Sequence, residues 1–150
     1  MSSKADRARE LFMQGYNCAQ AVFGAFCEDY GMDFETGMRL VSSMGGGMGR
    51  LREVCGAVSA MFLIDGMAEG YSDPADHAEK TAHYARIQAL AEAFKQENGS
   101  IICRELLGAQ AGEPTHIPEK RTAEYYKKRS CPDLVYCAAK ILEEHLRDRQ

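Results

Sequence analysis

Along nearly the whole chain, apolar residues recur at intervals of three and four, with polar residues between them, and alternating β-branched runs are missing. That period belongs to amphipathic helices rather than strands. A first helix is predicted from about Ser3 to Gln14, with Ser3 as its cap, Gly15 as its stop and Ala5, Ala8, Leu11 and Phe12 inward. A second opens at Asn17 or Cys18, buries Ala19, Val22, Phe23, Phe26 and Tyr30, and stops at Gly31. A third follows the Asp33 cap, places Phe34, Met38, Val41 and Met44 on one side, and breaks at Gly45-Gly46-Gly47-Met48-Gly49.

A fourth helix, roughly Glu53 to Ala68, carries Val54, Ala57, Val58, Met61, Phe62, Leu63 and Ile64 around much of its circumference. A helix apolar on most sides belongs at the centre of a bundle. After a turn at Gly70 to Pro74 comes a long fifth helix from about Pro74 to Asn98, in which Ala78, Ala82, Ala85, Ala89 and Ala93 form a small-residue stripe suited to close helix contact. Ser100 caps a short sixth helix, Ile101 to Leu107. Ala109 to Thr115, with Gly112 and Pro114, reads as a loop, and a seventh helix spans about Pro118 to Arg129. The last opens at Ser130-Cys131-Pro132-Asp133, with Pro132 at the first helical position and Cys131 as the cap, and buries Leu134, Val135, Ala138, Ile141, Leu142 and His145. The expectation is one all-α domain over residues 1–150, a bundle of about six to eight helices around a central apolar helix.

At 150 residues the chain is long enough for one core. Its net charge of −4, with no long basic face, argues against nucleic acid as a partner. Lys127-Lys128-Arg129, with Lys120 and Arg121 upstream, reads as a helix end where cations suit the dipole. The longest apolar run, Val58 to Ile64, is too short to span a bilayer, and the first residues are polar without a signal-peptide core. A cytoplasmic protein without membrane insertion is expected, and nothing in the pattern opposes a homo-oligomer. Cytosolic thiols are normally reduced, so the six cysteines are not expected to be permanent staples.

Four of those cysteines share one kind of position. Cys18, Cys55, Cys103 and Cys131 fall at predicted helix starts, where partial positive charge and unpaired N–H groups favour a thiolate over a thiol. They are 37, 48 and 28 residues apart, so any meeting of the four depends on the fold. A redox dithiol, or two, is the first reading, with all four as the reactive residues and an unidentified redox partner. The alternative is a metal or iron–sulfur site with the same four as ligands, although the spacing lacks the close CxxC pairs of familiar zinc modules. A non-catalytic helical interaction module with inert thiols is the third reading. Cys27 and Cys137 read as small core hydrophobes.

Among other candidates, the glycine run ending in Arg50 invites a phosphate-loop reading but lacks the GK[ST] ending and a preceding strand. Gly46, Gly47, Gly49 and Arg50 are better placed as the wall of a crowded site around Cys55, with Arg50 and Arg52 adding positive charge there. That combination makes Cys55 the expected most reactive thiol. His77, His83, His116 and His145 show no ligand spacing. Asp65 stands inside an otherwise apolar helix and calls for a partner.

The chain resembles the C_GCAxxG_C_C family. The matching residues are Gly15-Tyr16-Asn17-Cys18-Ala19-Gln20-Ala21-Val22, the glycine run leading into Cys55-Gly56-Ala57-Val58-Ser59-Ala60, Cys103-Arg104-Glu105-Leu106-Leu107-Gly108, and Cys131-Pro132-Asp133-Leu134-Val135. Ala60 stands where the family usually has a glycine, and Cys27 and Cys137 lie outside the pattern. The resemblance implies a redox-active or metal-binding role for the four shared cysteines and names no substrate.

Overall fold

The computed structural model describes residues 3–112 and 115–149. Among them the chain folds into eight α-helices: α1 (Lys4–Met13), α2 (Cys18–Phe26), α3 (Phe34–Val41), α4 (Gly56–Glu69), α5 (His77–Asn98), α6 (Cys103–Leu107), α7 (Ala123–Lys128) and α8 (Cys131–Asp148). The all-α class is as expected. No strand occurs among the described residues, and the one piece of β pairing is an isolated antiparallel bridge between Val54 and Ile102. No helix of the described residues is long and apolar enough to cross a membrane. Pro114, in the predicted loop, lies outside the described residues.

The helix starts follow from short polar side chains. Ser3 and Asn17 each form a reciprocal capping box, with Asp6 and Gln20 as the answering side chains. Asp33, Asp76 and Thr122 accept from the backbone N–H three residues on. These caps move several expected boundaries. The long helix starts behind Asp76 rather than at Pro74, and α7 begins only after Thr122. Ser130 is the cap of α8, so Cys131 takes the first helical position and Pro132 the second. Cys55 is the cap of α4, which begins at Gly56 rather than Glu53.

Two helices share the centre. α4 packs on α2, α5 and α8, while α2 packs on α1, α3, α4 and α8. In α2 every residue from Ala21 to Phe26 is buried. The expected central apolar helix is α4, and α2 shares the centre with it because it is covered on several sides. Phe12, Phe23, Phe94, Met61, Ile64 and Leu142 are wholly enclosed, each worth roughly 1.5–3 kcal/mol of burial. The alanine stripe of α5 is not a contact face. Ala78, Ala82, Ala85 and Ala89 face solvent, and α5 is held through Leu90 and Phe94 against α4 and α8.

Asp65 is completely buried on α4 and has the partners its position demands. His145 Nε2 lies 2.9 Å from one carboxyl oxygen, and His83 Nδ1 (3.2 Å) and Arg86 Nε (3.4 Å) lie beside the other. The same Arg86 donates to the Glu69 carbonyl at 2.8 Å. This network ties α4 to α5 and α8 on the side of α4 away from its cysteine end.

Candidate functional site: a thiol cavity beneath an arginine vestibule

Residues Gly45 to Glu53 form a left-handed turn that no ordinary sequence would hold. Gly46, Gly47, Met48, Gly49 and Arg50 all have φ between 59° and 71°, and Arg52 has φ 62°. Left-handed backbone costs a non-glycine residue about 1–2 kcal/mol. The turn is retained by bonds across it, from the Arg52 N–H to the Gly46 carbonyl at 3.2 Å and from the Glu53 N–H to that of Gly47 at 2.9 Å. Gly47 is indispensable to its shape, since a Cβ there would lie 2.7 Å from Cys103 Cβ and 2.8 Å from Arg52 Cα.

Beyond the turn the chain meets the segment before α6. The Cys55 N–H donates to the Ile101 carbonyl at 2.8 Å, and the Cys103 N–H to that of Glu53 at 2.6 Å. Both bonds flank the Val54–Ile102 bridge. Side chains alternate across such a pairing, so Cys55 and Cys103 leave it on the same side as diagonal neighbours. Cys18 arrives at the first position of α2 and Cys131 at the first position of α8.

Cys18, Cys55, Cys103 and Cys131 all line one cavity of about 60 Å³, together with Gly46, Gly47, Gly56, Arg52, Tyr125 and Arg129. A water occupies about 30 Å³ of liquid, so the space is one a few small atoms could fill. The six cysteines are free thiols. Among the described residues, no three His, Cys, Asp or Glu side chains are grouped to share a metal ion. Cys18 and Cys131 are near enough in this cavity to shift each other's titration, and Arg129 acts on Cys131 as well. Arg52 Nη1 donates to Cys103 Sγ at 3.6 Å.

These contacts divide the thiols. The hydrogen bond from Cys18, helped by Arg129 and Arg121, holds Cys131 down at about 7 against its burial. That same bond, together with burial, holds Cys18 well above the usual thiol value. Burial pushes Cys55 up to about 12, although the N–H groups of Ala57 and Val58 pull the other way. These directions run against the expectation that Cys55 is the most reactive thiol: burial raises it, whereas Arg129 and Arg121 help to lower Cys131.

The other two cysteines lie outside the cavity. Cys27 is buried in the turn after α2, packed so closely that a Cβ on Gly37 would come 3.0 Å from its sulfur. Cys137 is half-buried rather than a core residue, and its thiol donates to a Glu97 carboxylate oxygen at 2.9 Å. Burial and that bond raise it to about 11.

Above the thiols lies a wider pocket of about 330 Å³, lined by Gly46, Gly49, Arg50, Arg52, His116, Glu119, Arg121 and Arg129 among others. It shares Arg52, Arg121, Tyr125 and Arg129 with the thiol cavity. Arg121 is fixed by donating to the carbonyls of Phe12 and Tyr16, both at 2.9 Å, and its guanidinium stacks 4.1 Å from the Phe12 ring. Of the four loop residues expected at the site, Gly46 and Gly47 border the thiol cavity, whereas Gly46, Gly49 and Arg50 border the vestibule. The helix-end reading of the basic cluster holds for Lys127, Lys128 and the capping Arg129, and Arg121 and Arg129 in addition line the pocket. Arg129 stands two residues before Cys131 much as Arg52, already singled out, stands three before Cys55, a recurrence in the sequence that marks Arg129 as well.

Fold and site together define an all-α protein whose helix starts gather thiols under a cationic mouth. The chain belongs to the family described as "Putative redox-active protein (C_GCAxxG_C_C)", whose model matches residues 16–145. Neither a curated protein nor a solved structure matches it.

Proposed function

We propose that Cys18 and Cys131 are a redox dithiol that exchanges with a disulfide substrate in the cytoplasm. The observation that carries this reading is that Cys18 and Cys131 line one cavity together with Arg121 and Arg129; the two thiols shift each other, and both arginines lower Cys131. A thiolate is the attacking species in exchange, and a thiol with a pKa near ambient pH is the best compromise between thiolate fraction and nucleophilicity.

The Cys131 thiolate attacks one sulfur of the substrate disulfide. The substrate S–S bond breaks, and the departing thiolate takes the proton of the Cys18 thiol. Cys18, now a thiolate, attacks the Cys131 sulfur of the mixed disulfide and displaces the second substrate thiolate, which takes a proton from solvent. The substrate gains two electrons, and the protein is left with a Cys18–Cys131 disulfide that a reducing thiol returns to the starting state. Cys55, held protonated by burial, stays reduced, and so does Cys103.

Trapping tests this reading. After exposure of Cys18→Ser to a small disulfide, mass spectrometry is expected to find a stable mixed disulfide on Cys131. No adduct, or an adduct confined to Cys55 or Cys103, would refute the assignment.

A further inference from the structure

The vestibule contains an arrangement that the dithiol alone does not require. Arg50 Nη2 and Arg52 Nη2 lie 3.3 Å and 3.9 Å from one oxygen of Glu119, and Arg129 is bonded to the same oxygen. Three guanidinium groups thus converge on a single carboxylate oxygen. The arginines are largely enclosed, with side-chain exposures of 13%, 8% and 8%, whereas Glu119 is 42% exposed at the surface. The fourth arginine of the pocket, Arg121, adds further positive charge. In a chain of net charge −4 this is a local excess of the opposite sign.

A second observation is independent of the first. Arg52 is buried and lines both the vestibule and the thiol cavity, yet its Nε has no hydrogen-bond partner. A buried charged donor left unpaired keeps the full cost of its desolvation with nothing to offset it. Arg50 also donates to the Thr115 and Ile117 carbonyls and Arg52 to Cys103 Sγ, yet the shared carboxylate still leaves the Arg52 Nε–H without an acceptor. The pocket volume, about 330 Å³, lies in the range of about 300–1,000 Å³ usual for small-molecule sites.

We propose that the vestibule binds a small ligand carrying two or more carboxylates, and that Glu119 is an internal carboxylate this ligand displaces. Glu119 holds the arginines together when the pocket is free. An incoming polycarboxylate substitutes for it, supplies the acceptors the arginines lack, and sits over the opening to Cys131. The inference rests on the dithiol reading for the identity of the substrate, an anionic disulfide, while the binding itself is independent of thiol chemistry.

Two probes separate the two parts. Citrate, which has carboxylates and no sulfur, is titrated into the reduced protein by calorimetry, with the Arg Nε–H resonances followed by NMR. Oxidised glutathione and cystamine are then compared as anionic and cationic disulfides. Citrate is expected to bind and to shift the Arg52 Nε–H signal, and Glu119→Gln to bind it at least tenfold more tightly. Adding Arg50→Gln to that variant should remove at least tenfold of the affinity. Binding should be unchanged in Cys18→Ser/Cys131→Ser. Oxidised glutathione is expected to be reduced with a kcat/KM at least tenfold above that of cystamine. If citrate leaves the Arg52 signal unmoved in both wild type and Glu119→Gln, the cluster is a structural latch and the inference is overturned. If citrate binds but neither disulfide is reduced, the dithiol reading falls and the anion site stands. If both disulfides are reduced equally, the dithiol stands and the substrate assignment falls.

Discussion

Arg52 donates to the sulfur of Cys103 at 3.6 Å from a backbone held in the left-handed region. The side chain can reach that sulfur because the turn before it winds the wrong way for L-residues, which brings Gly47 within packing distance of Cys103. Local strain that persists next to reactive groups is a recurrent sign of a site whose geometry is held for a purpose. Here the strain spans three non-glycine positions, Met48, Arg50 and Arg52.

The two glycines of that turn should respond differently to a methyl group. At Gly47 an added Cβ meets Cys103 and the Arg52 and Glu53 backbone below 3.0 Å, so Gly47→Ala is expected to destabilise by about 3 kcal/mol or more and to shift the Cys103 signals in NMR. Gly49 has the same backbone sign but open space, so Gly49→Ala should cost only about 1–2 kcal/mol in urea unfolding and leave the thiols in place. Equal costs would mean that the turn is not packed against Cys103.

Alkylation should resolve the thiols by pH. Cys131, held near 7, is expected to reach half its maximal rate with iodoacetamide near neutrality, while Cys137 and Cys55, raised to about 11 and about 12, react little below pH 9. Stability follows with a definite sign. A lowered thiol pKa stabilises the fold above the unfolded value near 9, and that contribution is lost as pH falls through about 7. Wild type minus Cys131→Ala should therefore gain stability between pH 7 and 9. A flat difference would remove the thiolate from the account.

Asp65 tests the other end of α4. Asp65→Asn leaves Arg86 without its buried counter-charge and weakens the contacts of His83 and His145. Breaking a buried pair in this way costs roughly 3–5 kcal/mol. Chemical denaturation should register that loss without any change in Cys131 alkylation rate under native conditions. A neutral substitution would show that the network carries no stability.

What the sequence made legible follows a physical boundary. Capping residues and the 3.6 period are local, so Ser3, Asn17, Asp33 and the apolar stripes of α1, α2 and α8 were readable in advance. The common location of Cys18, Cys55, Cys103 and Cys131 near helix starts was readable for the same reason. Their relative acidity was not, because it depends on which side chains the fold brings to each sulfur. Arg121 and Arg129 are distant in sequence from Cys18 yet adjoin the same cavity, and Cys55 has no cation among the causes of its shift. The Val54–Ile102 bridge was invisible because a single pairing leaves no periodicity. The alanine stripe misled because small residues permit close packing without requiring it.

The most direct measurement is the connectivity formed when the reduced, folded protein meets a small disulfide at neutral pH, read by peptide mapping after acid quenching. One intramolecular bond, Cys18–Cys131, is expected to form first, with Cys27, Cys55, Cys103 and Cys137 still alkylatable after denaturation. A first bond between Cys55 and Cys103, or one involving Cys27 or Cys137, would contradict it.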